Sequence, residues 1–313
     1  MRKKMNSFIQ QLGLRMQADR EELASRIAHA VKQDGRVEPQ PGLFLNRVSV
    51  PNQRVYAVVE PSFCVIAQGS KDLWVGDAKF HYDTGHYLIT TMGLPATGEV
   101  VQASCQRPYL GLRLVLDPSV VSSLMIESAG VVRERGDGAA VRGIDVSPLD
   151  AELLDAMLRL VRLTERPNEY RMLAPLVIRE ITFRLLTRPQ GSRLHHLAIF
   201  GGQAHRMARA VEQVRENFNK PLRIEDAARD AGMSVSGFHA HFKAVTTMSP
   251  LQFQKHLRLQ EARRLMLSEG LDAGEAGYRV GYDDQSYFSR DYKRHFGEPP
   301  MRDVERLREL ATA

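Results

Sequence analysis

The sequence predicts an α+β protein with an N-terminal all-β domain, a barrel or sandwich, and a C-terminal all-α domain that contains two helix-turn-helix units. Three observations predict this fold class. The chain has 313 residues, enough for about two domains at roughly 150 residues each. Short apolar runs separated by Gly-containing turns fill residues 43–116, as is typical of β-sheet. The last third of the chain has helical periodicity and repeats itself internally.

Composition limits the classes of protein that the chain can form. Hydrophobic residues make up 43% and charged residues 26%, as in soluble globular proteins, which excludes a disordered or collagen-like chain. No apolar run approaches the roughly 18 residues of a membrane span, and Gln10 and Gln11 interrupt any signal-peptide core. Two cysteines cannot form a disulfide framework, so we expect a cytoplasmic protein. The net charge of +6 permits an anionic partner without establishing one.

Residues 1–40 are predicted to form a helical arm, followed by the β domain at residues 41–135. In the arm, Leu23, Ile27 and Val31 are spaced as one helix face, and Pro39 and Pro41 end any helix. In the β domain, each apolar run is followed by turn residues, at intervals of about 8–12 residues. This spacing predicts a succession of short strands.

Residues 136–190 are predicted to be helical, with a linker at residues 191–203 leading to the second domain. Ser147 is a suitable N-cap and Pro148 a suitable first helical residue, so we expect a helix to begin there. A second helix is expected near 169–186. The apolar stripe of the first helix either forms a homodimer face, which we favour, or covers the β domain; it comprises Leu149, Leu153, Met157, Leu160 and Val161.

The domain at residues 204–313 contains a repeat with a period of 50 residues. A glycine, Gly232 or Gly281, precedes each copy, and a very small residue, Ala228 or Gly277, lies four positions earlier. The matched pairs are Ser234 and Asp284, Phe238 and Phe288, Phe242 and Tyr292, Lys243 and Lys293, and Pro250 and Pro300. The repeat predicts two copies of one structural unit.

Each copy has the chemistry of a helix-turn-helix, at about residues 222–245 and 271–296. A turn glycine adopts a left-handed conformation without a Cβ penalty, the small residue lets the helices cross closely, and Ser or Asp caps the second helix. The aromatic residues then face a small core and leave a polar face that can enter a major groove. A connecting helix over 250–267 is about 27 Å long, so the two reading helices can stand near one DNA turn apart, about 34 Å.

The two copies resemble the tandem helix-turn-helix of AraC/XylS-type transcription regulators. The segment GYDDQSYFSRDYKRHFG at 281–297 resembles the second unit, and AARDAGMSVSGFHAHFK at 227–243 resembles the first. Upstream, PSFCVIAQGSK at 61–71 and HYDTGHYL at 81–88 look like the cupin-type regulatory domain of one branch of the family. The resemblance implies a cupin-like β-barrel, double-stranded promoter DNA as partner, a small-molecule effector, and activation through RNA polymerase.

The resemblance also implies which residues contact DNA. Arg290 is the leading base reader, because a guanidinium can donate two hydrogen bonds to guanine. Ala240 and Gly237 depart from the family, since alanine cannot hydrogen-bond a base and glycine weakens the first reading helix. The base-reading positions are Ser236, His239, Ala240, Ser286, Tyr287 and Arg290, and the phosphate-binding positions are Lys243, Gln285, Lys293 and Arg294.

Candidates in the N-terminal domain have two interpretations each. The aromatic residues Phe63, Trp74, Tyr82 and Tyr87 either line an effector pocket or pack in the core. The cysteines Cys64 and Cys105 either sense oxidants and electrophiles or serve as small apolar residues.

The competing hypothesis for function is a cupin-type metalloenzyme fused to a DNA-binding module. His81 and His86 are the candidate ligands, but they lie five residues apart and form no His-x-His pair. We therefore predict no metal, no cofactor and no enzymatic activity.

Overall fold

The structure, a computed structural model of the chain, describes residues 2–51, 54–128, 141–188, 191–197 and 203–312. Ten strands are described: β1 Gly35–Gln40, β2 Leu43–Val48, β3 Val55–Val59, β4 Ser62–Gln68, β5 Ser70–Val75, β6 Ala78–Asp83, β7 His86–Thr90, β8 Leu94–Gln102, β9 Tyr109–Val115 and β10 Ile144–Pro148. The helices of the N-terminal part are α1 Arg2–Ala30, α2 Pro118–Glu127, α3 Ala151–Leu163, α4 Pro167–Thr187 and a 3₁₀ helix, Gly191–Leu197. Those of the C-terminal part are α5 Gln203–Glu216, α6 Ile224–Asp230, α7 Val235–Thr246, α8 Pro250–Ser268, α9 Ala273–Arg279, α10 Gln285–Phe296 and α11 Pro300–Thr312.

The strands form two antiparallel sheets, in the orders β1-β2-β9-β4-β7-β10 and β3-β8-β5-β6. Among the described strands the two sheets are not hydrogen-bonded into one closed barrel, so the domain is a sandwich-like pair of sheets. The chain passes from one sheet to the other at Gly69, where φ is +88° and a Cβ would collide with the Gln102 carbonyl. Only glycine fits this crossing.

Side-chain alternation along β4 divides the N-terminal core into two layers. Phe63 and Val65 face α1 and α3, whereas Cys64 and Ile66 face the second sheet. Leu23 and Ile27 of α1 are fully buried in the helix-facing layer, as their spacing predicts. The layer on the other side lies between the sheets and continues into the C-terminal helices.

The apolar stripe of α3 covers the β domain. Leu153, Met157 and Leu160 are fully buried against the sheet and α1. Of the two interpretations of this stripe, the favoured one, a dimer face, is therefore wrong. A stripe with no exposed surface is not available to a second copy of the chain.

The predicted helix start at Ser147 and Pro148 is also wrong. Both residues belong to β10, which pairs with β7 at the edge of the six-stranded sheet. Proline is tolerated at a strand end on a sheet edge, because no hydrogen-bond donor is needed there. The helix begins at Ala151, and the Asp150 carboxylate caps it by accepting a hydrogen bond from Leu153 N at 2.9 Å.

The C-terminal helices pack against the sheet domain through contacts at the ends of α7 and α10. The Thr247 hydroxyl donates to the Val75 carbonyl, and Gly143 N donates to the Val245 carbonyl at 2.9 Å. The Tyr56 hydroxyl donates to the His295 carbonyl at 3.4 Å. Across the described parts of the chain, no helix combines the length and apolarity that crossing a membrane requires.

Candidate DNA-binding surface and effector site

The first helix-turn-helix consists of α6, a tight turn and α7. The turn contains Gly232 at φ +67°, and Ala228 is buried where the helices cross. Ser234 caps α7, its hydroxyl accepting a hydrogen bond from Gly237 N at 3.2 Å. The predicted roles of the glycine, the small residue and the cap are all confirmed.

The second unit repeats this geometry with α9 and α10. Gly281 has φ +92°, and the Asp284 carboxylate caps α10 by accepting from Tyr287 N at 2.6 Å. A Cβ on Gly277 would lie 2.9 Å from Phe288 Cγ, so α9 and α10 cross at a distance that only glycine allows. The two units are therefore alike in backbone geometry.

Buried aromatic pairs hold each reading helix in place. The rings of Phe238 and Phe242 are 5.6 Å apart, and those of Phe288 and Tyr292 are also 5.6 Å apart. In the second unit the Tyr292 hydroxyl donates to Asp303 at 2.8 Å, and burial next to this carboxylate raises the pKa of Tyr292. Arg263 donates to both oxygens of Asp303, at 2.7 and 2.6 Å, which completes a buried network.

The predicted base-reading residues lie on the face opposite these aromatic pairs. His239 is half-buried, and the other five are exposed: Ser236, Ala240, Ser286, Tyr287 and Arg290. The Arg290 side chain folds back over Tyr287, its Cζ 5.8 Å from the ring centroid, and its Nε donates to the Ser286 carbonyl at 3.4 Å. Both contacts are exposed and weak, so the guanidinium is free to turn toward a ligand.

The predicted phosphate-binding residues are all exposed: Lys243, Gln285, Lys293 and Arg294. No hydrogen bond or ion pair joins the Lys243 or Lys293 ammonium group to another described residue. Arg294 is 4.0 Å from Asp291, at the limit of an ion pair. Unpaired cations beside a reading helix suit an anionic partner.

The four aromatic residues proposed for an effector pocket do not converge. The rings of Phe63 and Tyr87 pack edge to face at 5.2 Å in the helix-facing core. Trp74 lies on the outer face of its sheet between Arg54 and Lys79, at 4.4 and 5.2 Å. Tyr82 alone of the four faces the space between the sheets.

A polar group between the sheets was not predicted. Lys71 follows the same alternation as Leu73 and Val75, so its side chain points to the space between the sheets. The side chain packs closely over Gly98, where an added Cβ would lie 2.9 Å from Lys71 Cε. Burial lowers the pKa of Lys71, and no hydrogen bond or ion pair joins its ammonium to another described residue. The sequence feature that could have predicted this buried group is a lysine two residues before Leu73 and four before Val75, which places all three side chains on the same face of the strand.

Three further polar side chains lie in the same inter-sheet space as Lys71. The hydroxyls of Tyr82 and Tyr109 lie close to each other, and burial raises the pKa of both phenols. Cys64 lies nearby, and burial raises the pKa of its thiol, which keeps it protonated. We name Lys71, Tyr82, Tyr109 and Cys64 the inter-sheet cluster.

The two histidines considered as metal ligands have separate partners. His81 Nδ1 is 2.6 Å from Asp72, and His86 Nδ1 is 2.8 Å from Asp83. In the ranges that the structure describes, no group of three or more His, Cys, Asp and Glu could hold a metal ion.

Comparison with known proteins matches both halves of the chain. The model of the AraC-type transcriptional regulator N-terminus matches residues 39–193, and a helix-turn-helix domain model matches residues 227–306. The virulence regulon transcriptional activator VirF of Yersinia enterocolitica is 25% identical over 266 residues, which cover 82% of this chain and 94% of VirF.

Solved structures of ToxT from Vibrio cholerae share the fold. ToxT of strain O395 aligns over 85% of this chain and 98% of its own, with a TM-score of 0.54 and 10% identity. ToxT of strain SCE256 with a bound unsaturated fatty acid aligns over 86% and 96%, with a TM-score of 0.51 and 12% identity. The two matched models, the capped tandem units and this shared architecture agree, and the chain therefore belongs to the AraC/XylS family of DNA-binding transcription regulators.

Proposed function

We propose that the chain is a sequence-specific, effector-responsive activator of transcription that reads two successive major grooves of promoter DNA with α7 and α10. The observation that carries this proposal is the pair of capped reading helices with exposed polar faces. They are joined by α8, whose 19 residues span about 28 Å. Together with the width of the packed helices, this length suits a separation of one DNA turn, about 34 Å.

Several side chains on the two reading helices have a role that their chemistry supports. Arg290 pairs with guanine, Ser236, His239 and Ser286 hydrogen-bond base edges, and Ala240 contacts a thymine methyl group. The unpaired Lys243 and Lys293 bind phosphates and fix the register of the protein on the duplex.

Activation through RNA polymerase is the role that family membership suggests, and VirF is named as an activator. For the effector, the inter-sheet cluster offers a cation and two phenols beside the apolar side chains of both sheets. A small molecule with an acidic or polar head and an apolar body fits this chemistry, and a ToxT structure contains a fatty acid.

A homodimer remains part of this proposal, but through α4 rather than α3. Met172, Leu173 and Leu176 are 74%, 43% and 62% exposed on one side of α4. An apolar patch of this kind on a helix that covers the regulatory domain is a suitable face for a second copy.

Substitution of Arg290 and Lys293 tests the proposal of groove reading. Arg290→Ala should cost about 1–3 kcal/mol in binding and relax the preference at one base pair. Lys293→Ala should weaken all sequences about equally and reduce the salt slope by about 1. The measurement is binding to a randomised duplex library and to its selected sequence over a range of salt concentrations. Equal weakening of every sequence by Arg290→Ala would show that this arginine binds phosphate, and selection of no sequence by the wild type would refute the proposal.

A further inference from the structure

A cavity of about 580 Å³ lies at the outer side of the regulatory domain, apart from the reading helices and the inter-sheet cluster. Three arginines from three different elements line it: Arg20 of α1, Arg47 of β2 and Arg107 of the loop between β8 and β9. Among the described residues that line it, Glu21 is the only acid. We name this cavity the arginine groove.

The guanidinium groups of the arginine groove have more hydrogen-bond donors than the described residues supply acceptors. Arg20 Nε is buried without an acceptor in the described part of the chain. The Arg107 side chain has no hydrogen bond or ion pair with a described residue. Arg47 forms an ion pair with Asp34 at 3.8 Å, a distance too long for a hydrogen bond. Glu21 is engaged by Gln17 Nε2 at 3.0 Å. Guanidinium donors that the described residues leave without an acceptor can bind an anionic ligand.

We propose that the arginine groove binds a small molecule carrying two or more acidic groups, carboxylates or phosphates. A guanidinium presents paired donors that match both kinds of oxyanion. The volume lies in the range of small-molecule sites. Because the three arginines come from α1, β2 and a loop, the bound anion connects the helical arm to the sheet. The site is separate from the proposed effector space, which has one lysine and two phenols.

Cys105 makes occupancy of the groove measurable. Its thiol is exposed and lines the same cavity, whereas Cys64 is buried. An uncharged thiol reagent such as N-ethylmaleimide should therefore label the folded protein at Cys105. A ligand in the groove covers this thiol and slows labelling in proportion to occupancy.

The experiment uses the full chain with citrate and inorganic pyrophosphate as probes, at constant ionic strength maintained with sodium chloride. We expect saturable slowing of Cys105 labelling, about fivefold at four times the Kd, together with a rise in Tm. Slowing by citrate alone identifies carboxylate ligands, and slowing by pyrophosphate alone identifies phosphate ligands. If neither probe slows labelling or raises Tm at concentrations of about 10 mM, the proposal is overturned.

Matched variants separate the groove from general charge. Arg107→Gln should weaken protection at least about tenfold, because one charge-assisted contact is worth more than 1.4 kcal/mol. Arg15→Gln is the control: it also removes one positive charge, but from a residue of α1 that pairs with Asp155 outside the arginine groove. It should leave the protection of Cys105 unchanged. Cys105→Ser should abolish labelling but keep the Tm shift. Equal effects of Arg15→Gln and Arg107→Gln would overturn the proposal. DNA binding by these variants is assayed separately. Normal DNA binding with no anion binding would show that only the proposal for the arginine groove has failed, and not the proposal that α7 and α10 read the DNA major groove.

Discussion

The two turn glycines have equivalent positions in the repeat but different surroundings. Both have positive φ, which costs a residue with a Cβ about 1–2 kcal/mol. A Cβ on Gly232 would have no neighbour nearer than Arg206 Nε at 3.9 Å. A Cβ on Gly281 would collide with the Asn219 carbonyl and lie 2.9 Å from Arg258 Nη2.

We therefore expect Gly281→Ala to destabilise the protein more than Gly232→Ala. Gly232→Ala should cost only the conformational penalty, about 1–2 kcal/mol. Gly281→Ala should add an overpacking term of about 1–3 kcal/mol. The measurement is the free energy of unfolding in urea. Equal losses would show that backbone conformation alone governs both sites.

The two glycines of α9 provide a second matched comparison. A Cβ on Gly277 would press on the buried ring of Phe288. A Cβ on Gly274 would instead meet Asp272 Oδ1 and the flexible Gln285 side chain, each at 3.3 Å. Gly274→Ala should be neutral or stabilise by up to about 1 kcal/mol, since alanine favours helix. Gly277→Ala should destabilise by about 1–3 kcal/mol. Thermal unfolding of the two variants checks this, and a stabilising Gly277→Ala would contradict the close crossing of α9 and α10.

At the scale of elements, local sequence signals were enough to predict the C-terminal helices. Elements that form only by pairing with a distant part of the chain could not be predicted in this way. The caps Ser234 and Asp284 and the helix from Pro250 were predictable, because a cap acts within one turn of chain. The strand β10 was not, because 144–148 becomes a strand only by pairing with β7, more than fifty residues earlier. Ser147 followed by Pro148 is compatible with the end of a strand as well as with the start of a helix, so these two residues alone do not distinguish the two structures.

The candidate effector residues show a similar limit. Alternation along β4 predicts that Phe63 and Cys64 point in opposite directions, but it does not tell which face α1 covers. That depends on packing between elements far apart in sequence. Choosing effector-site candidates because they are aromatic therefore combined residues of the core, the surface and the inter-sheet space. The position of Lys71, in the same alternation as Leu73 and Val75, was a better indicator of a side chain between the sheets.

The 3₁₀ helix before the C-terminal domain makes stability sensitive to acid. His196 is 4% exposed, and its Nδ1 is 2.9 Å from the Thr91 hydroxyl. Burial, followed by the charges of Arg193 and His195, lowers the pKa of His196 from 6.5 to about 4. Below pH 6.5 the unfolded state therefore binds a proton that the folded state does not, and stability falls until about pH 4.

This histidine should account for a loss of about 2–3 kcal/mol as the pH falls from 7.5 to 4.5. His196→Asn, which keeps a polar partner for Thr91 but cannot titrate, should flatten that part of the curve. The measurement is the free energy of unfolding in urea at a series of pH values. An unchanged pH dependence in the variant would assign the acid sensitivity to other groups.

On the scale of the whole molecule, the sheet domain contacts the C-terminal ends of the reading helices α7 and α10. These contacts do not cover the base-reading faces. Thr247 ends α7 in the left-handed region at φ +66°, unusual for a β-branched residue, and its hydroxyl donates to Val75. The equivalent residue of α10 is Gly297, at φ +90°. The domain contact thus holds a strained helix end in the first unit, and Tyr56 contacts the corresponding region of the second. Docking of the two domains therefore fixes both units while leaving their reading faces exposed.

Tyr56 should couple the regulatory domain to the second unit. Its ring centroid is 4.6 Å from that of Phe296, and Arg263 Cζ lies 5.1 Å from it. Tyr56→Ala should cost about 1–3 kcal/mol, because each such aromatic contact contributes about 0.5–1.5 kcal/mol. Amide hydrogen exchange should accelerate at the end of α10 and in α11 but not in α7. Val55→Ala, at a 54% exposed position of the same strand, is the control and should leave exchange unchanged. Faster exchange in α7 as well would show that the two units are released together, so that the sheet domain holds them as one body.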